Sequence, residues 1–276
     1  MHADDWGGLG PALLFCPGNR PERFVKAAER SDGVIVDLED AVPVDQKEDA
    51  RRAVGRSDLD PDRTLVRVNS GSPRELDRDL AALAGTGFRR IVAGKCESVD
   101  ELDVLTGFDV VPQIETPLGL LRIEAIAAHS AVVAVFWGTE DFVQLLGGVS
   151  GREPDGDLID PLRHARSRVL IAAAAFGKPA IDAPFTDYSD SDGLAHRAAA
   201  AARSGFTASA CVHPNQVRTV RDAYRPDAEA VARAQELVAR AAQADGAFAS
   251  GGAMIDAPIV LQAQRVLARA AALPPL

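Results

Sequence analysis

Eight short apolar runs, most of them rich in Val and Ile, recur along the chain: Leu13–Cys16, Val34–Asp37, Leu65–Asn69, Ile91–Ala93, Val110–Ile114, Val132–Trp137, Pro179–Ile181 and Ala208–Val212. They do not alternate cleanly with polar residues. Continuous apolar strands are buried on both faces, the condition of a parallel sheet covered by helices. Helical signals fill the gaps. Pro21–Arg30 opens with Pro at a first helical position, and Pro73–Ala84 sets Leu76, Leu80 and Leu83 at helical spacing. Leu118–Ala128, Leu162–Phe176 and the Ala-rich Gly193–Ser204 follow. Strand then helix, repeated over roughly 200 residues, predicts an α/β fold, the (β/α)8 TIM barrel. An open doubly wound sheet ranks lower because no GxGxxG or Walker-type loop follows any strand.

The rhythm changes after Pro226. Ala228–Gln243 reads as one helix, Gly246–Gly252 as a loose hinge and Ile259–Ala271 as a last helix, with no strand required. The expected division is a catalytic barrel over 1–225 and a short helical C-terminal extension, a lid, over 226–276. A length of 276 residues and 47% hydrophobic content suit one barrel-sized domain with such an appendage.

Charge narrows the function. A formal net charge of −10 argues against nucleic acid and anionic membrane as partners, both of which need basic surface. Cys16, Cys96 and Cys211 are odd in number and widely spaced, so neither a disulfide framework nor a zinc motif is expected. With no evident signal peptide and no membrane-length apolar run, a cytoplasmic location is expected.

Chemistry in such barrels sits at the carboxyl ends of the strands. Nearly every predicted strand runs into charge there: Arg20 and Lys26 after the first, Asp37, Glu39 and Asp40 at the second, Arg67 and Asn69 at the third. Lys95 and Glu97 follow the fourth, Glu115 the fifth, Glu140 and Asp141 the sixth, Asp182 and Asp187 the seventh and His213 the eighth. Convergent carboxylates without Cys or paired His favour a hard cation with oxygen ligands, chiefly Mg2+. Glu115 and Asp141, on neighbouring strands, form the best pair. Each residue also has a plainer reading. Asp37, Glu39 and Asp40 could be ion-paired across the mouth or support the metal ligands. Glu115 could be a helix-start acid, Asp141 a cap, Lys95 a neutraliser of Glu97 and His213 a loop histidine. The other histidines are given no role.

The stretches LLFCPGNRPERFVKAAE, VIVDLEDAVPVDQKEDAR, VRVNS, QIETPLGL, WGTEDF, CVHPNQV and GGAMIDAPIV occur in that order over almost the whole chain. In them the sequence resembles the citrate lyase beta-subunit family, which includes malyl-CoA and citramalyl-CoA lyases. The resemblance implies a Mg2+-dependent carbon–carbon lyase cleaving a 3-hydroxyacyl-CoA thioester, of citramalyl-CoA, malyl-CoA, citryl-CoA or 3-hydroxy-3-methylglutaryl-CoA type. The products would be acetyl-CoA and an oxo acid such as oxaloacetate, pyruvate or glyoxylate. Glu115 and Asp141 match the metal ligands, and Arg67 matches the arginine gripping the oxo-acid part. Phe15, Arg20, Lys26, Val212 and His213 match positions near the CoA thioester, and Asp256 matches a lid acid or base. Glu140 joins the substrate-binding set. Asp37, Glu39, Asp40 and Lys95 are expected around these groups. The family suggests a homotrimer or hexamer. The chain departs from it at Ala93–Lys95, which reads AGK where relatives commonly read LPK. An aldolase on free hydroxy-keto acids, and a citrate lyase beta subunit that needs partner chains, are the alternative readings.

Overall fold

Burial on both faces turns the eight apolar runs into eight parallel strands that close on themselves. The computed structural model describes residues 9–244 and 246–272. Its barrel strands are β1 (Ala12–Pro17), β2 (Gly33–Asp37), β3 (Thr64–Val68), β4 (Arg90–Ala93), β5 (Asp109–Ile114), β6 (Val135–Trp137), β7 (Ala180–Asp182) and β8 (Ala208–Cys211). They pair in chain order, and β8 closes against β1 through Leu14 and Cys211. The connecting helices are α1 (Phe24–Arg30), α2 (Lys47–Gly55), α3 (Pro73–Leu83), α4 (Val99–Asp103), α5 (Pro117–Leu121), α6 (Ile123–Ala128), α7 (Glu140–Leu145), α8 (Asp160–Ala175), α9 (Ser191–Ser204) and α10 (Gln216–Tyr224).

Strand side chains alternate between the barrel interior and the helical layer. Leu13, Ile35, Leu65, Val92, Val111, Phe136, Ile181 and Ala208 share one buried interior cluster. Moving two residues on from such a position stays inside and climbs one layer toward the carboxyl ends. That step reaches Phe15, Asp37, Arg67, Gln113 and Gly138. Moving one residue on from Ile181 instead puts Asp182 toward the helices.

The helix expected over Leu118–Ala128 is two helices. Thr116 caps the first by accepting from Gly119 N at 3.0 Å. Arg122 leaves helical geometry (φ −111°, ψ 9°) and bonds back to the Gly119 carbonyl, so the axis restarts at Ile123.

The chain divides into two units, residues 1–221 and 222–276. The second holds α11 (Ala228–Ala241), β9 (Phe248–Ser250), β10 (Ala253–Ile255) and α12 (Ala257–Ala272). The expectation of helices without strands is corrected here: β9 and β10 form an antiparallel hairpin. Its two-residue turn is Gly251–Gly252 with φ of 59° and 80°. Both central residues at positive φ match the right-handed twist of a hairpin, and Gly reaches them without a Cβ penalty. The Gly pair read as a hinge is therefore a tight turn. Arg240 of α11 ties the hairpin down, donating to the Ser250 hydroxyl at 2.7 Å and the Ala249 carbonyl at 2.6 Å. No described helix is long and apolar enough to cross a membrane.

Candidate active site

A cavity of about 350 Å3 opens at the carboxyl ends of the barrel strands. Among its lining are Phe15, Asp37, Arg67, Glu115, Glu140, Asp141 and Val212, drawn from both sides of the barrel. The interior alternation delivers most of them. It also delivers Gln113, which the strand-end reading passed over. The signal was present in the sequence, since Val111, Gln113 and Glu115 are each two apart.

Glu115 is the most constrained acid. Only 2% exposed, it accepts from the Lys95 amide at 2.9 Å on Oε1 and from Gln113 Nε2 at 2.6 Å on Oε2. Burial first, and then the negative charge of Asp141, raise its pKa to about 8. Thr116 caps α5, so Glu115 stands just before the helix with its carboxylate engaged by Lys95 and Gln113 and not by the helix amides. Gly138 makes room for the carboxylate: a Cβ there would stand 2.5 Å from Glu115 Oε2. Asp141 sits in the first turn of α7 with its carboxylate partly exposed, and α7 has no side-chain cap, so the cap reading fails.

Arg67 lies across the mouth. Its Nε donates to Asp37 Oδ1 at 2.9 Å and its Nη2 to Asp37 Oδ2 at 2.5 Å, a forked pair that fixes the guanidinium plane. Phe15 supports it from one face, 5.0 Å from ring centroid to guanidinium carbon. Burial opposes the charge, but Asp37 outweighs burial and raises the Arg67 pKa above its ordinary value.

Lys95 donates to Glu39 Oε1 at 2.9 Å and to Asp40 Oδ2 at 2.8 Å, and its Nζ stands 4.0 Å from Asp141 Oδ1. Its expected partner Glu97 is not among these. Lys95 adopts φ 53°, a left-handed conformation that costs a side-chain-bearing residue about 1–3 kcal/mol. In return its amide reaches Glu115 while its ammonium reaches β2's acids. The AGK departure has a local reason too, since a Cβ at Gly94 would meet Glu39 Oε2 at 2.5 Å. Lys47 fixes the Glu39 loop from below, donating to the Leu38 and Glu39 carbonyls at 2.7 and 2.8 Å.

Within the first unit, three expected groups stand apart from the cavity. Arg20 and Lys26 are exposed near the start of α1. His213 stacks on Tyr188 with ring centroids 5.1 Å apart, and accepts from the Asn215 amide. Asp182 turns outward, as its alternation requires, and accepts from Trp137 Nε1 and Arg166. Asp256 lies in the second unit between β10 and α12, beside an apolar recess formed with Phe248, Ile255, Val260 and Leu261.

The donor set suits Mg2+. Two carboxylates, one of them buried with a raised pKa, repel each other until a cation joins them. Among the described residues no three His, Cys, Asp or Glu side chains surround one metal position. Two protein carboxylates with the remaining positions left to water and substrate is how Mg2+ is commonly held. The buried Gln113 Oε1 has no hydrogen-bond partner among the described residues, leaving an acceptor beside the pair.

Comparison with known proteins shows the family and the fold. The family model for HpcH/HpaI aldolase/citrate lyase matches residues 12–107 and 104–214. A citrate lyase subunit beta-like protein of Mycobacterium tuberculosis is 45% identical over 261 residues, spanning 95% of this chain and 96% of its own. Human mitochondrial citramalyl-CoA lyase is 30% identical, spanning 93% of this chain and 84% of its own. The crystal structure of protein CitE from M. tuberculosis in complex with magnesium, acetoacetate and coenzyme A superposes with a TM-score of 0.92. It is 44% identical, covering 96% of this chain and 99% of that one.

Proposed function

The chain belongs to the HpcH/HpaI aldolase/citrate lyase family and is a carbon–carbon lyase, and we propose that it cleaves a 3-hydroxyacyl-CoA thioester in a Mg2+-dependent retro-Claisen reaction. The observation that carries this reading is the convergence of Glu115, Asp141 and Arg67 on one cavity. A volume of about 350 Å3 accommodates the acid head of such a substrate but not its nucleotide. The nucleotide would lie outside, where Arg20, Arg23 and Lys26 stand exposed beyond Val212 at the cavity's edge.

Glu115 and Asp141 would hold the cation. When bound, Mg2+ would act as a Lewis acid toward the hydroxyl and carboxylate of the substrate. Gln113 and the Lys95 amide keep Glu115 aimed at it. Arg67, with N–H groups beyond those that Asp37 engages, stabilises the oxo-acid oxygens as charge develops. Asp256 protonates the terminal carbon of the thioester enolate, releasing acetyl-CoA, and acts as base in the reverse direction. In this reading the second unit is a lid and the assembly a homotrimer or hexamer. The partner oxo acid is oxaloacetate, pyruvate or glyoxylate.

The test is a panel of citramalyl-, malyl-, citryl- and 3-hydroxy-3-methylglutaryl-CoA with the corresponding free acids, each assayed with Mg2+ and with EDTA. At least one thioester should be cleaved by the purified chain, and EDTA should stop it. Cleavage of free acids alone would make the chain an aldolase; thioester cleavage only with added partner chains would make it a complex subunit. In the active assay Asp256→Asn should lower kcat by about 10²-fold or more; unchanged turnover would move the proton transfer to another group.

A further inference from the structure

Behind β6 and β7, on the helical side of the barrel wall, a second cavity of about 510 Å3 lies between α8 and α9. It is lined by Arg152, Arg166, Phe185 and Arg197, with exposed acids at its rim. Arg197 is the unusual member. Part of the residue reaches the cavity, yet its Nε and Nη2 are sealed from solvent and donate to no acceptor among the described residues. A guanidinium cannot escape this by losing its proton at ordinary pH, so the charge remains and no hydrogen bond at these two atoms offsets its desolvation. Desolvation pulls its pKa down; the Asp182 charge opposes that fall, and the positive charges of Arg152 and Arg166 add to it.

The neighbouring acid cannot serve it. Asp182 Oδ1 already accepts from Trp137 Nε1 at 2.6 Å and Arg166 Nε at 2.9 Å, and its Oδ2 from Arg166 Nη2 at 3.0 Å. The rim acids are exposed, and two are engaged locally: Asp190 caps α9 through Gly193 N, and Asp187 accepts from Ser189. At the cavity floor three guanidiniums face one fully used carboxylate. Phe185 lies under Arg152 at 4.2 Å and the Trp137 ring under Arg197 at 5.8 Å, so both cations are backed by ring faces.

We propose that this cavity is a second ligand site, taking a small molecule that presents a carboxylate or phosphate to Arg197 between Arg152 and Arg166. A guanidinium matches either oxyanion in charge and shape, and a small turn of the Arg197 side chain toward the cavity would bring its sealed Nε and Nη2 to the ligand. The volume exceeds that of a bare ion and lies in the range of small-molecule pockets. The site shares no lining residue with the barrel-mouth cavity, and its occupant needs no metal.

The proposal is tested by titrating inorganic phosphate and malonate, separately and in EDTA, into the full chain by calorimetry, with chloride at matched ionic strength as control. Saturable binding of phosphate, malonate or both is expected, and the pair identifies which oxyanion is taken. Arg197→Gln and Arg152→Gln should each weaken it about tenfold, the size of a lost charge-assisted hydrogen bond, while Arg67→Gln leaves it unchanged. Arg197→Gln removes a buried charge whose Nε and Nη2 have no acceptor among the described residues, so its melting temperature should not fall. In a Trp6→Phe background, Trp137 emission should change on binding, because its ring lies beneath the guanidinium. No binding beyond the chloride control overturns the proposal, as does affinity in both arginine variants equal to that of the native chain. Loss of binding in Arg67→Gln would place the anion in the barrel mouth and overturn it equally.

Discussion

Two aspartate–arginine pairs, built almost alike, do different jobs in this barrel. Asp37–Arg67 and Asp182–Arg166 each join a carboxylate at a strand's carboxyl end to a guanidinium through Nε and Nη2, at 2.9 and 2.5 Å and at 2.9 and 3.0 Å. Both aspartates are buried. Each arginine lies over a phenylalanine, Phe15 at 5.0 Å and Phe206 at 4.6 Å. They differ in alternation. Asp37 is two residues past the interior Ile35, so its pair stands inside the mouth and lines the cavity. Asp182 is one residue past the interior Ile181, so its pair fastens the barrel wall to α8. A buried ion pair is weak evidence of function; the face it occupies decides.

That contrast is tested most severely at Glu115, which continues the interior alternation. Glu115→Gln and Asp141→Asn should each abolish Mg2+-dependent cleavage with circular dichroism unchanged; activity retained in both would remove the metal assignment. The matched pairs come next. Breaking either by Asp37→Asn or Asp182→Asn should cost about 3–5 kcal/mol in denaturant unfolding, since each strands a buried guanidinium. Only Asp37→Asn should also lower kcat per folded molecule, by about 10²–10³-fold, the scale of losing an oriented oxyanion donor. Equal kcat losses in the two variants would dissolve the distinction between mouth and wall.

This alternation is also what sequence reading under-used. The strand-end rule found Glu115, Asp141 and Arg67 because it needs only the strand ends. It treated Asp182 as equivalent to Asp37, and it missed Gln113, because it ignored which face each residue takes. Counting in twos along Val111, Gln113 and Glu115 would have supplied the missing residue. The hairpin of the second unit was legible as well, in two Gly between Phe248–Ser250 and Ala253–Ile255, but Gly pairs in an Ala-rich context read as hinges. Other features could not be read locally. The left-handed Lys95 and the unpartnered Arg197 depend on contacts made across 20 to 56 positions of chain or across packed helices. A smaller effect tests the Gln113 assignment. Gln113→Leu should weaken Mg2+ binding about 10–100-fold, as loss of a ligand's orienting partner does, and an unchanged Mg2+ titration would make the residue mere packing.

The mildest prediction separates the mouth from the wall by pH. Burial and the Asp141 charge hold the Glu115 pKa at about 8 in the metal-free fold, well above the ordinary 4.5. Arg67 and Lys95 oppose that rise, and Glu39 adds to it. A carboxyl whose pKa is raised by folding stabilises the native state fully below its unfolded value, and loses that contribution as pH climbs through the folded one. Melting temperature in EDTA should therefore fall between pH 5 and 8. Mg2+ needs the deprotonated carboxylate, so its binding grows stronger over the same window and offsets the loss. The gap between Mg2+ and EDTA melting curves should widen steadily with pH in the native chain and stay nearly flat in Glu115→Gln. In Asp182→Asn it should widen as in the native chain, because the wall pair has no part in that proton. A gap that is independent of pH in the native chain would mean that Glu115 is already ionised without the metal, and that burial beside Asp141 is not what prepares it to bind one.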